Sequence, residues 1–246
     1  MSRKLLLFAV VALVAAAGCI RLGFWQLERL DTRRARNALV ARRLADAPLP
    51  VGALPRDTGE LRYRRATARG RYDFAREIIL TSRSRNGAPG VNLVTPLRVD
   101  GSDTLVLVNR GWVYSPDGAT VTVEEWREPD SATVSGYVEP MSAGRGSGAI
   151  ANRPTALRWL ERAEVERRLG APVAPVVVVQ TEGGAAPADS IPVRLALPRM
   201  DEGAHLSYAV QWFSFAAIAL IGLGVWVVKE RREGRATGEG GATGEG

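Results

Sequence analysis

The sequence predicts an α+β protein in which a compact, mainly antiparallel, β-rich domain lies between two transmembrane helices. Three features predict this: an apolar segment near each end of the chain, short β-like runs between them, and one amphipathic helical stretch late in that series. The expected boundaries are an N-terminal end at 1–4, a first transmembrane helix at 5–27, a middle domain at 28–203, a second transmembrane helix at 204–228 and a tail at 229–246.

The first apolar segment covers Leu5–Leu27 and is interrupted by Arg21. Crossing a bilayer takes about 20 helical residues, so the segment is long enough if Arg21 extends to the interface and Trp25 lies in the aromatic belt. A cleaved signal peptide has the same basic and apolar pattern. The small residues before Cys19 also resemble a lipoprotein processing site, so both alternatives stay open.

The second apolar segment, Leu206–Val228, carries no formal charge and is followed directly by the basic run Lys229–Arg232. Trp212 lies near one end and Trp226 near the other, as in the aromatic belts of membrane helices. A core helix of this length in a soluble domain would show a polar face. The pattern therefore predicts a membrane span.

Charges near the two segments favour different orientations. Basic residues at the chain ends favour cytoplasmic termini: Arg3, Lys4, Lys229, Arg231, Arg232 and Arg235. Four arginines after the first segment favour the opposite: Arg29, Arg33, Arg34 and Arg36. Because the charge rule weakens for long loops, we expect both termini inside and the middle domain outside. The glycine-rich tail after Glu233 predicts disorder.

The composition limits the kinds of site that the chain can hold. Lys and Arg total 33 against 26 Asp and Glu, a balance compatible with nucleic acid, anionic lipid or an acidic partner. The arginine-rich stretch after Leu27 lacks interleaved aromatics and adjoins an apolar segment, which favours lipid headgroups and argues against nucleic acid. One cysteine excludes an intrachain disulfide, and one histidine excludes any metal site that needs two histidines from one chain.

The middle domain begins with a predicted charged helix, Glu28–Ala47, and continues with short strands separated by turns such as Asn86–Gly90. The predicted strands are Tyr63–Tyr72, Glu77–Ser82, Val91–Val99, Thr104–Asn109, Ala132–Val138, Val176–Gln180 and Pro192–Leu197. Thr104–Asn109 contains four consecutive apolar residues and is expected to be central. Pro96 is expected to make the second half of its strand an edge or a bulge.

An amphipathic helix is predicted to open at Arg153–Thr155 and to run to Leu169, where Gly170 and Pro172 end it. Its apolar stripe consists of Leu157, Leu160, Val165 and Leu169. The glycine-rich Gly144–Gly148 resembles a phosphate loop, but it lacks the Lys-Ser/Thr ending and a following helix, so a surface loop is expected. No strong catalytic motif is present, and we expect a protein that is not an enzyme.

Two groups of residues are candidate binding sites. Arg110 and Trp112, in the run Asn109–Trp112, are candidates for an exposed contact with a partner or with a ligand carboxylate. A packed strand end is the alternative, which the residues alone favour. His205 stands one residue before the second apolar segment, among Leu206, Tyr208 and Trp212. A neutral imidazole there could bind haem iron, with the neighbouring rings covering the porphyrin. An interfacial histidine without a ligand is the alternative, again favoured by the residues alone.

Three groups of residues, in order along the chain, resemble the signatures of the surfeit locus protein family, the cytochrome c oxidase assembly factors. The first is Gly23–Arg29, which resembles a Gly-x-Trp-Gln-x-x-Arg signature at the first membrane helix. The central pattern comprises Tyr63-Arg64, Gly70, Gly90, Thr95–Leu97 and Val108–Trp112. The third is His205–Ala209 with Trp212-Phe213. The resemblance covers about residues 20–228.

The resemblance implies a protein of the bacterial inner membrane with two transmembrane helices, both termini inside and a periplasmic middle domain. It implies that the chain, with other assembly factors, assists maturation of the haem-bearing large subunit of cytochrome c oxidase. Haem a is the implied cofactor, held transiently, with His205 as iron ligand. We expect Tyr208, Trp212 and Trp25 to line the site. The alternative is a scaffold that binds oxidase subunits without haem. Trp159-Leu-Glu161 departs from the Trp-x-Asp type of sequence often seen there in the family.

Overall fold

The computed structural model describes residues 3–54, 58–182 and 191–239, which divide into two compact units. One unit contains the described residues up to Leu39 and those from Met200 onward, and the other is Val40–Arg199. The helices are α1 Arg3–Ala45, α2 Arg162–Leu169 and α3 His205–Glu239. The strands are β1 Leu49–Pro50, β2 Arg65–Tyr72, β3 Ile78–Arg85, β4 Ala88–Val99, β5 Leu105–Tyr114, β6 Ser131–Pro140, β7 Ala149–Ile150, β8 Arg153–Leu157 and β9 Val173–Glu182.

Both long helices pass the length and composition requirements of a membrane span, and α1, near the N-terminus, also fits a signal sequence. The predicted membrane segment and the charged helix after it form one continuous α1. At its other end the chain differs from the prediction, because α3 continues to Glu239 instead of becoming irregular after Glu233. Extending an existing helix costs far less than nucleating one, so Arg235 and Ala236 can follow Gly234 in helical conformation. Residues 240–246 of the predicted disordered tail lie outside the described residues.

Five strands of the second unit close into a barrel in the order β2–β6–β9–β5–β4, because β4 pairs back onto β2. The closing pairs run from Gly70 with Val99 to Tyr72 with Leu97. Glycine is needed at position 70, since a Cβ there would lie 1.9 Å from the carbonyl oxygen of Arg98. Side chains from alternate positions fill the interior, among them Ala66, Ala68, Val106, Val108, Val134, Val138, Val176 and Val178.

The remaining strands extend the sheet beyond the barrel. β3 pairs with β4, β8 with β3 and β7 with β8, while β1 adds to β2. Helix α2 packs on the outer face, where its residues Val165 and Leu169 join a second apolar cluster with Leu107, Leu157 and Val177. The β-rich middle domain between two long helices is therefore confirmed.

The strongest predicted strand is central, as expected, because β5 lies between β4 and β9. The prediction for Pro96 was wrong: β4 is paired on both sides and Pro96 itself pairs with Leu107. Proline is tolerated because the pairing of β4 with β3 ends at Val94 and that with β2 begins at Leu97. Pro96 thus falls between two partners, where no ladder hydrogen bond is required of its nitrogen.

Two other predictions in this domain were wrong. The predicted helix from Arg153–Thr155 to Leu169 is a strand, β8, followed by the short helix α2. The apolar positions of the predicted stripe are all buried, but a strand and a helix share them. Pro192–Leu197 is not a strand, since its sheet pairing is a single bridge between Val193 and Trp112. The predicted end of the helix at Gly170 is confirmed by its left-handed φ of 60°.

Candidate functional site

A stripe of buried residues, half of them alanine or glycine, runs along one face of the first part of α1. Its buried members recur at helical spacing: Leu5, Ala12, Ala16, Gly23, Gln26 and Leu30. Gln26 is the polar member of this stripe and is only 9% exposed. A buried amide on an otherwise apolar helix face requires a hydrogen-bonding partner.

The start of α3 lies beside this part of α1, and both belong to the same unit. The aromatic pairs Phe8–Trp226 and Phe24–Phe213 have ring centroids 4.4 and 5.4 Å apart. Gly23 allows close approach, because a Cβ there would lie 2.6 Å from the ring of Phe213. These pairs show that α1 and α3 run antiparallel, which brings the start of α3 next to Gln26.

His205, the first residue of α3, is the partner of Gln26. Its Nδ1 lies 2.8 Å from Oε1 of Gln26. Because an amide oxygen only accepts hydrogen bonds, Nδ1 carries the proton in this contact. In the neutral ring this tautomer leaves the lone pair on Nε2, and neutral imidazole with a free lone pair is the form that coordinates a metal ion.

Gly203 lies near the edge of the His205 ring that carries Nε2. Gly203 has a φ of 68°, and a Cβ at this position would lie 3.6 Å from Nε2. The left-handed conformation also favours glycine on backbone grounds alone. The turn before α3 therefore brings the chain close to the imidazole without a side chain on that side.

Ion pairs fix the segment that leads into α3. Arg33 donates to the carboxylate of Asp201 over 3.1 Å, and Arg34 makes two bonds of 2.8 and 2.9 Å to Glu202. Asn37 donates to the carbonyl oxygen of Asp201 over 2.9 Å. The hydrogen bond and charge of Arg34 lower the pKa of the exposed Glu202 carboxyl. These contacts hold the residues just before His205 against α1.

The predicted lining residues take different positions. Tyr208 and Trp212 follow His205 at intervals of three and seven residues, so the three share one face of α3. Tyr208 is half-exposed, and Trp212 packs edge-on against Phe215 with centroids 6.0 Å apart. Trp25 is 41% exposed and lies under the guanidinium of Arg29, which is 5.7 Å from the ring centroid. Apolar and aromatic surface is thus available beside the histidine.

Arg110 and Trp112 are buried, which contradicts their prediction as an exposed partner contact. Both lie in β5, in the middle of the sheet, and the side chain of Arg110 is 0% exposed. A register shift opposite Leu93 and Val94 places Arg110 at a β-bulge, followed by Gly111 with a φ of 141°. A Cβ at Gly111 would lie 2.4 Å from the carbonyl oxygen of Val193. The run Asn109–Trp112 therefore contributes to packing within the sheet.

The guanidinium of Arg110 is surrounded by fixed partners. It lies 2.5 Å from a carboxylate oxygen of Glu77 and 3.0 Å from one of Glu128, and it donates to Thr95 over 2.7 Å. Arg194 contributes a second cation, which pairs with Glu128. One buried and one partly buried cation thus face two buried carboxylates. Burial, followed by the charge of Glu128, raises the pKa of the nearby Tyr72 hydroxyl.

Sequence reasoning missed the partners in both clusters. Gln26 appeared only as part of a motif, although a polar residue within a membrane-type helix is itself a functional signal. Glu77, Glu128 and Arg194 gave no local signal, because their roles depend on strands distant in sequence. Among the described residues, no group of three His, Cys, Asp or Glu side chains could hold a metal ion by itself.

Comparison with known proteins agrees with the residue patterns. The sequence profile of the SURF1 family matches residues 13–217, which include Gln26, the β-rich domain and His205. An uncharacterized SURF1-like protein of Mycobacterium tuberculosis (strain ATCC 25618 / H37Rv) is 26% identical over 220 residues, which cover 86% of this chain and 78% of that protein. Surfeit locus protein 1 of Gallus gallus is 32% identical over 110 residues, or 37% of this chain and 35% of that protein. Surfeit locus protein 1 of Takifugu rubripes is 28% identical over 116 residues, or 41% and 48%. This chain belongs to the SURF1 family.

Proposed function

We propose that this protein is a membrane-anchored assembly factor of cytochrome c oxidase, and that it holds haem a through Nε2 of His205 for the large oxidase subunit. The observation that carries the proposal is the pair formed by His205 and Gln26. Hydrogen bonding at the second ring nitrogen is how metal-binding histidines are commonly oriented and made more basic. Gln26 supplies that bond from the opposite helix.

The side chains on the same helix face as His205 support the proposal of a haem site. Haem sites combine an iron ligand with apolar and aromatic side chains that cover the macrocycle. Tyr208 and Trp212 lie on the same face of α3 as His205, and Trp25 is the neighbour of Gln26 in α1. Because the chain has one histidine, a second axial ligand, where there is one, is another residue type or comes from another molecule. Haem is cargo in this proposal, and the protein contributes binding and orientation without being an enzyme.

In this proposal α1 and α3 cross the bacterial inner membrane, both termini are cytoplasmic and the β-rich domain is periplasmic. Two helices of suitable length and composition support the span. The four arginines after Leu27 were the argument for the opposite orientation. Two of them, Arg33 and Arg34, pair with Asp201 and Glu202, which gives them a role in the fold that is independent of topology. The partners are the large oxidase subunit, other assembly factors and membrane lipid; nucleic acid is not among them.

The test is a visible spectrum of the whole protein, co-produced with haem a synthesis and purified in mild detergent. We expect bound haem a in the wild type and its loss or a strong spectral shift in His205→Ala. Ser214→Ala is the matched control, because Ser214 is an exposed polar residue of the same helix on the side opposite His205. Absence of haem in the wild type, or the same spectrum in all three proteins, would leave the scaffold function without haem.

A further inference from the structure

The outward face of β2 carries a row of arginines. Alternate residues Ala66, Ala68 and Tyr72 point into the barrel and are buried. The residues between them point outward, since side chains alternate along a strand. Arg69 and Arg71 are exposed and Arg65 is half-buried. We call these three residues, together with Arg98 of β4, the arginine face.

Arg71 lies directly opposite Arg98 in the pairing of β2 with β4. Like charges at directly opposite positions of an antiparallel pair destabilise it, so the fold alone does not favour this arrangement. The charge of Arg98 is partly compensated by the carboxylate of Asp73, which is 3.0 Å away and also pairs with Arg76. The arginine face therefore places cations side by side although this arrangement does not stabilise the pairing of their strands.

Acidic side chains compensate the arginine face only in part. Asp100 is 3.7 Å from Arg69, and both side chains are largely exposed. Asp130, exposed just before β6, makes no ion pair with the face within the described part of the chain. Arg65 and Arg71 likewise make no ion pair with any described residue. Their guanidinium groups are available to another molecule.

A shallow cavity of about 340 Å³ lies in the arginine face. Its walls include Arg69, Arg71 and Asp100, and the hydroxyl residues Ser131 and Thr133 of β6. Thr133 pairs with Arg69 and Ser131 with Arg71, so both of these arginines have a hydroxyl residue beside them. Guanidinium and hydroxyl groups together are donors suited to carboxylates.

We propose that the arginine face binds an extended acidic segment of a partner protein, with Asp or Glu at alternate positions. Residues two apart on a strand repeat every ~6.6 Å, so an extended partner segment presents its carboxylates at the spacing of Arg69 and Arg71. The residues next to the arginines on this face are Thr67, Ser131 and Thr133, whereas lipid-binding surfaces combine cations with apolar side chains that enter the bilayer. A protein segment therefore fits better than a membrane surface.

The test measures binding of two fluorescent ten-residue peptides to the whole protein in detergent by fluorescence anisotropy. One peptide alternates Glu with Thr, and the other alternates Gln with Thr. We expect binding of the Glu peptide only, weakened by added salt. In the double variant Arg69→Gln/Arg71→Gln we expect its Kd to rise by at least ~10-fold, the effect of losing charge-assisted hydrogen bonds.

The control is Arg85→Gln/Arg158→Gln, which removes the same charge from two exposed arginines outside the arginine face. We expect its Kd for the Glu peptide to stay within about twofold of the wild type, as for surface changes away from a binding site. Equal loss in both double variants, or equal binding of both peptides, would overturn the proposal. So would binding to vesicles of anionic lipid that exceeds peptide binding and depends on Arg69 and Arg71. The haem spectrum is independent of this assay, so failure here and failure of the proposed function are distinguishable.

Discussion

Arg110 and His205 are both polar residues that hydrogen-bond to residues distant in the chain, but their hydrogen-bonding groups are used to different extents. The guanidinium of Arg110 contacts Glu77, Glu128 and Thr95 and is completely buried. The imidazole of His205 has one ring nitrogen bonded to Gln26, while the other lies near Gly203 and makes no hydrogen bond with a described residue. A polar group with every partner supplied by its own chain stabilises a fold. A group with one partner supplied and one lone pair left over is suited to a ligand.

The largest expected effect is at Arg110. Replacing it with Met leaves the carboxylates of Glu77 and Glu128 buried without this cation, which for buried ion pairs costs about 3–5 kcal/mol. We expect the β-rich domain of Arg110→Met to unfold at much lower denaturant concentration than the wild type, followed by tryptophan fluorescence. Arg85→Met, at an exposed position, is the control and should change stability by less than ~0.5 kcal/mol. A near-wild-type midpoint for Arg110→Met would mean that the buried charges are not what holds this part of the barrel.

A smaller effect, on the ligand and not on the fold, is expected at Gln26. Gln26→Leu removes the acceptor for Nδ1 of His205, and loss of such an orienting contact typically lowers metal affinity by about 10–100-fold. We expect weaker haem a retention in titrations of the detergent-purified protein. Gln26→Glu keeps an acceptor at the same distance and should retain haem better than Gln26→Leu. Equal retention in the two variants would show that Gln26 fills space and does not orient the imidazole.

The sequence predicted features that depend on neighbouring residues, and it did not predict contacts between residues far apart in the chain. The strands around Thr104–Asn109 and the position of His205 at a helix start were predictable, because alternation and apolar length are local properties. The contact of His205 with Gln26 spans 179 residues, so only the fold reveals it. Burial of Arg110 likewise depends on Glu77, 33 residues earlier along the chain. The prediction of one helix from Arg153 to Leu169 was wrong for another reason. Buried positions at helical intervals also fit a strand followed by a short helix.

The smallest expected effect concerns the ion pair of Arg34 with Glu202. Glu202 lies three residues before His205, but both side chains of the pair are exposed to solvent. The pKa of Glu202 is lowered in the folded protein, mainly by its hydrogen bond with Arg34. The contribution of the pair is therefore complete above the usual pKa of a glutamate and is lost as the pH falls through the lowered value. We expect the wild type to melt slightly above Glu202→Gln at neutral pH and low salt. The difference should vanish at acidic pH or at high salt, because exposed pairs are screened. A difference in melting temperature that persists at acidic pH would mean that Glu202 stabilises the protein through its side-chain shape or its backbone. The charge of Glu202 would then not be what holds the start of α3 beside Gln26.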